Sequence, residues 1–192
     1  MLEVLVSMVI IAFGLLGLAG LQTRMQQAEF ESYQRAQALV LLYDMIDRIN
    51  INRATAPCFA ITTNAVGGTP YLGTGSVTPP VCGYSTAGNN TMANTALSDW
   101  DGMLNGAAET KGGVNVGAMV GARGCVSFDN TTLLLDPTTG AQIPGTGIYT
   151  VAVAWQGIND TIVPTVNCAN GLYGAETKRR VVSTNFRLAF LR

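Results

Sequence analysis

The chain has 192 residues, enough for one ordinary domain and too few for two of average size. Only 12% of them are charged and 48% are apolar, with a mean hydropathy of +0.28, which excludes a solvated, disordered chain and leans towards a membrane protein. Eleven basic against twelve acidic side chains give a net charge of -1, so no global field holds nucleic acid, and the lack of histidine removes the commonest general base and metal ligand.

The apolar excess is concentrated at the start. From Met1 to Leu21 the one ionisable side chain is Glu3. The run from Val4 to Leu21, as a helix, would be ~27 Å long, close to the thickness of a bilayer core. No Lys or Arg precedes Val4, so the segment reads as a retained anchor rather than a cleaved secretory signal, with a buried core helix as the competing reading. Gly14, Gly17 and Gly20 make Phe13 to Leu21 the weakest stretch of this helix, because each glycine costs ~1 kcal/mol relative to alanine. Such a stretch serves either local stretching or close helix packing in lipid. Glu3 needs a counter-ion, since a carboxylate costs ~2.5 to 3.5 kcal/mol at mid-bilayer and less near a helix end. The nearest basic residue on the same helix is Arg24, several turns away, so the counter-ion must come from lipid headgroups or another polypeptide.

Past Leu21 the pattern turns amphipathic. Leu21, Met25, Ala28, Ser32, Ala36, Leu39, Leu42, Ile46 and Ile49 recur at three- and four-residue steps, with Gln26, Gln27, Gln34, Gln37, Asp44 and Arg48 at other angles. No proline or glycine interrupts 21–53, and Pro57 lies just beyond, so one continuous helix of up to ~80 Å is expected. Residues 1–21 form its anchor, 22–53 its amphipathic continuation, and 54–192 a globular head. Phe30, Tyr33, Val40 and Leu41 lie partly off the main stripe, as a widened core face or as a second packing surface.

Residues 54–98 contain no Asp, Glu, Lys or Arg and carry the turn signals Gly67-Gly68-Thr69-Pro70, Gly73-Thr74-Gly75 and Pro79-Pro80. This is a long irregular or weakly stranded excursion that needs a covalent tie. A helix is expected from Asn94 to Thr110, with Trp100 and Leu104 on one face. The period then falls to two, giving strand candidates at Gly124 to Phe128, Thr132 to Leu135, Ile148 to Gln156 and Arg180 to Leu191, and hence an antiparallel sheet. Cys58, Cys82, Cys125 and Cys168 offer no CxxC step, which disfavours zinc and redox chemistry. Disulfides are the favoured reading over free buried thiols, and of the three connectivities Cys58 to Cys82 with Cys125 to Cys168 is preferred, each closure contributing ~3 to 4 kcal/mol.

Other motifs are weak. Asp99-Trp100-Asp101-Gly102 resembles the opening of a calcium loop, but Thr110 stands where a glutamate is required, so a cap or turn is the better reading. The glycine-rich stretches lack the Gly-Lys-Ser/Thr ending of a phosphate cradle. Lys178, Arg179 and Arg180, with Phe186 and Arg187 beyond, form the one basic cluster; it reads as a charged guard on an edge strand or as a contact for DNA or an acidic partner. No cofactor is expected, and a nucleophilic triad has nothing to build on, so the chain is read as a non-enzyme.

The run Leu2-Glu3-Val4-Leu5-Val6, the apolar stretch through Leu21 and its amphipathic continuation resemble the start of mature type IV pilins. Gly14-Leu15-Leu16-Gly17-Leu18-Ala19-Gly20-Leu21-Gln22, Gly124-Cys125-Val126 and the Tyr149 to Trp155 strand further resemble minor pilins of the PilV type. The likeness covers the first fifty residues strongly and the rest loosely. It implies an α+β subunit in which a long N-terminal helix packs on an antiparallel head, the type IV pilin fold. It also implies a basic leader ending in glycine, with its cleavage point two residues upstream of Met1. By the same resemblance Glu3 would meet the N-terminal amine of a neighbouring subunit during assembly. The expected setting is the inner membrane with the head in the periplasm, then the extracellular pilus. The expected partners are other minor pilins, the major pilin and a tip adhesin in a hetero-oligomeric filament, with nucleic acid disfavoured. A minor pseudopilin of type II secretion is the alternative, and a surface-exposed adhesin or DNA-uptake module formed by the loops at 60–95 is another.

Overall fold

The computed structural model describes residues 2–76, 78–117 and 119–189. In chain order it holds α1 (Leu2–Ile51), a 3-10 segment (Arg53–Phe59), β1 (Leu72–Gly73), α2 (Ala87–Leu104), β2 (Thr110–Lys111), β3 (Val114–Asn115), β4 (Arg123–Asp129), β5 (Ile148–Gln156) and β6 (Arg179–Arg187). β1, β4, β5 and β6 form an antiparallel sheet in that order, and β2 pairs with β3 in a separate hairpin. The chain is therefore α+β, a 50-residue apolar helix packed on a four-stranded antiparallel sheet.

α1 runs unbroken for ~75 Å because nothing after Gly20 disrupts its hydrogen bonding. It stops where the Asn52 backbone N–H and side-chain amide both donate to the Arg48 carbonyl, at 3.0 and 2.9 Å. Within the head, the stripe that faces the sheet is Gln34, Ala38, Leu41, Leu42, Met45 and Ile49, all buried. This corrects the sequence reading. Met25, Ala28, Ser32, Ala36 and Leu39 are exposed, whereas Gln34 is fully buried. The apolar spacing of the uncovered half of α1 favours no single face, whereas in the half that meets the head the sheet fixes the angle.

β5 spans the nine residues expected for it, and its alternation separates two cores. Tyr149, Val151, Val153 and Trp155 pack with α1 and α2, while Ala152 and Ala154 join Cys125, Cys168, Ala169 and Tyr173 on the opposite face. β6 ends at Arg187, short of the expected Leu191; Phe190 and Leu191 lie outside the described residues. Thr132 to Leu135 is not a strand. The Asp129 carboxylate accepts from the Thr131 N–H and hydroxyl at 2.9 and 2.7 Å, which winds Asn130–Thr132 into a 3-10 turn, and Leu135 forms only an isolated bridge to Gln142. These bonds also hold the exposed Asp129 carboxyl below its ordinary range.

α2 begins seven residues before the expected Asn94 and ends six before Thr110 (94 - 87 and 110 - 104). Thr86 caps its start by accepting from the Asn89 N–H, and Gly106, at φ +81°, takes the left-handed turn that closes its end. Trp100 and Leu104 share the buried face, as expected. The Trp100 ring lies against Gly124 on β4, where an added Cβ would fall 2.0 Å from the ring, and its indole N–H donates to the Leu41 carbonyl of α1 at 2.9 Å. One side chain thus joins both helices and the sheet.

Gly124→Ala should destabilise the full chain by about 1 to 3 kcal/mol through overpacking, read as a lowered denaturant midpoint in detergent. An unchanged midpoint would show that Trp100 has room to move aside. Tyr149 supplies a second expectation: its hydroxyl is buried without a hydrogen-bond partner among the described residues, and burial pushes its pKa up to about 12. Because the folded value exceeds the unfolded one, stability is fully present below pH ~10 and lost as pH rises towards 12. Tyr149→Phe should leave stability at pH 8 unchanged or higher and flatten the alkaline loss, as followed by circular dichroism.

Candidate functional site

The first half of α1 is left uncovered by the described residues. Residues 2–25 are exposed throughout, with Leu2 at 77% and Phe13 at 70%, and an 18-residue window of mean hydropathy 2.6 has no buried member. By length and composition this helix can cross a membrane. Glu3 sits in its first turn, where the helix dipole favours a carboxylate, and the Ser7 hydroxyl donates to its backbone carbonyl at 2.7 Å. Among the described residues no side chain pairs with the Glu3 carboxylate. Gly14, Gly17 and Gly20 are helical, and a Cβ built on any of them would meet nothing within 4 Å. Among the described residues no contact requires a glycine there.

The apolar surface continues onto the head. Tyr33, Val40, Tyr43 and Ile51 are 47%, 63%, 60% and 74% exposed on the side of α1 away from the sheet. Of the four residues read as lying off the stripe, Leu41 belongs to the core, whereas Phe30, Tyr33 and Val40 face outward.

The basic cluster divides. Arg179 is 1% exposed; its Nε donates to Glu176 at 2.6 Å and its Nη1 to the Val166 carbonyl at 2.7 Å, so it is a strut inside the head rather than a contact for DNA or a partner. Arg180 reaches Glu31 of α1 at 3.3 Å and also donates to Thr161 at 2.7 Å. Glu31 in turn accepts from the backbone N–H groups of Ile158 and Asn159, at 3.1 and 3.3 Å, which straps that loop to the helix. Lys178 alone is partly exposed without an ion-pair partner among the described residues. The sequence hid the Arg180 role because Glu31 lies 149 residues away, and the Arg179 role because its burial depends on the fold although Glu176 is close by.

Both preferred disulfides are formed, with Cα atoms 5.4 Å apart for Cys58–Cys82 and 5.7 Å for Cys125–Cys168. The first ties the charge-free excursion to the segment after α1. The second pins the loop before β6 beneath the sheet, where Ala169 and Asn170 donate backbone bonds to Gly68 and Gly67, each at 3.0 Å. Asp101, read as part of a turn or cap, lies within α2 and accepts from the Gly73 N–H and Ser76 hydroxyl at 2.7 and 2.9 Å. Among the described residues no group of three or more Cys, Asp or Glu is arranged to hold a metal ion.

No protein-family model, curated protein or solved structure matches the chain. Its pilin-like architecture and two disulfides are the features that bear on what it does. If Arg179 is a strut, Arg179→Gln should lower stability by about 3 kcal/mol, because Glu176 and two loop carbonyls lose their donor. Lys178→Glu, by contrast, should stay within ~0.5 kcal/mol of the parent. Urea unfolding of both variants separates strut from surface charge.

Proposed function

We propose that the chain is a minor pilin: a subunit held in the inner membrane by the first half of α1, with its disulfide-tied head in the periplasm, then built at low copy near the tip of a type IV pilus. The observation that carries this reading is a long apolar helix with no cover among the described residues and one acid that finds no cation among them. Such a surface is tolerated in lipid and again among other helices, and little else accommodates it. The acid gives direction to the transfer, since in both settings it lowers its energy by meeting a cation on another molecule. The two disulfides support an oxidising compartment for the head. The partners that fit are other minor pilins, the major pilin and a tip adhesin, and the cellular roles that follow are pilus biogenesis, adhesion and twitching motility.

Glu3→Ala should leave the amount of protein in the membrane unchanged and lower its recovery in sheared surface filaments by tenfold or more. Equal recovery would overturn the assembly role of Glu3. Loss of protein secretion on deletion, with piliation intact, would move the chain to the pseudopilins of type II secretion.

A further inference from the structure

Arg123, the first residue of β4, is a partly buried cation with no carboxylate within ion-pair distance among the described residues. Its Nε is buried without an acceptor, Nη1 makes one long contact to the Gly121 carbonyl at 3.4 Å, and Nη2 makes none among the described residues. Two aromatic rings hold it, Tyr173 at 4.8 Å and Tyr71 at 5.4 Å from ring centre to Cζ. Cation–π contacts stabilise the charge but satisfy none of its donors. The Tyr173 hydroxyl donates to the same Gly121 carbonyl at 3.0 Å and lies within hydrogen-bond reach of the guanidinium, so Tyr173 and Gly121 take up its Nη1 side and leave Nη2. Glycines border the guanidinium: a Cβ on Gly121 would lie 3.6 Å from Nη1, and one on Gly75 would lie 3.8 Å from Nη2. Nη2 therefore has bare backbone beside it, a setting suited to a carboxylate oxygen accepting a charge-assisted bond.

Tyr71 also belongs to a second feature. With Ile61, Pro70, Leu72, Pro80 and Val81 it lines a groove of about 370 Å³ that runs along the Cys58–Cys82 disulfide. The walls are mostly apolar, and Val81 stands 84% exposed at the rim. We propose that Arg123 and this groove form one docking site for an acidic peptide of a partner protein, with an Asp or Glu carboxylate on Arg123 Nη2 and a neighbouring apolar side chain in the groove. The missing counter-ion selects an acid, and the apolar walls select a side chain over the hydroxyl-rich rings of an acidic sugar. The site uses neither the apolar helix nor Glu3, so it stands apart from the pilus reading.

The test is a titration of the full chain in detergent micelles, followed by NMR of the Arg Nε–H and tyrosine ring signals. The probes are acetyl-Ala-Leu-Glu-amide, the same peptide with Gln in place of Glu, and a glucuronate trisaccharide. The expected result is saturable shifts of Arg123 and Tyr71 with the Glu peptide, binding at least tenfold weaker with the Gln peptide, and loss of binding in Arg123→Gln. Val81→Asp, a change at an exposed position, should weaken the Glu peptide by a similar factor while leaving the fold unchanged, and it decides the matter if Arg123→Gln does not fold. Absent saturation, equal binding of the two peptides, or shifts with the trisaccharide but not the peptide would each overturn the proposal.

Discussion

The head is organised around the contact of Trp100 with α1 and β4. The indole lies on Gly124 because no other residue leaves room for it, and its N–H reaches back to a helix carbonyl at Leu41. A fully buried Trp of this kind removes some 200 Å² of apolar surface from water while its polar atom keeps a partner. α2 and the sheet are thereby fixed against one stretch of α1, and Leu42, Met45 and Ile49 follow into the core on the same face. Arg48 reinforces the junction, donating to Asp44 at 2.6 Å and to the Ala96 carbonyl of α2 at 3.2 Å.

Much of the rest of the head is loop, and loops need ties. The two disulfides, the buried Arg179 and the Glu31 strap all act on segments that carry little regular structure. The disulfides, with separations of 24 and 43 residues, and the Arg180–Glu31 contact of the strap, with 149, join parts distant in sequence, where the loop-closure entropy recovered is larger, whereas Arg179 closes its own local loop through the Val166 carbonyl 13 residues away. The strap has a further effect, because it meets α1 above the Trp100 junction and so fixes the helix to the head at a second level. Two-point attachment makes the exposed half of α1 a directed projection from the head.

What lies outside these ties is what the chain offers to others. The apolar helix, the outward side of α1 and the Arg123 groove are all surfaces whose chemistry is incomplete within one molecule. Among the described residues the first lacks cover and the last lacks a counter-ion.

The local patterns were enough to place the anchor, the unbroken helix, β5 and the lone acid, because each depends on periodicity or composition within a few residues. The preferred cysteine pairs were likewise legible, since spacing and compartment narrowed a small set of choices. The face of α1 that meets the head was not legible. Gln34 is buried and Leu39 exposed, although a helical wheel ranks them the other way, and only the sheet beneath determines that angle. The start of α2 at Ala87 lay in a charge-free, turn-rich stretch and depended on the Thr86 cap. Arg179 and Arg180 looked like one basic patch, yet Glu176 and Glu31 turned both into internal struts. Arg123 gave no signal at all, because an arginine's meaning depends on whether a carboxylate faces it, and that is settled by which strands pair and which loops cross them.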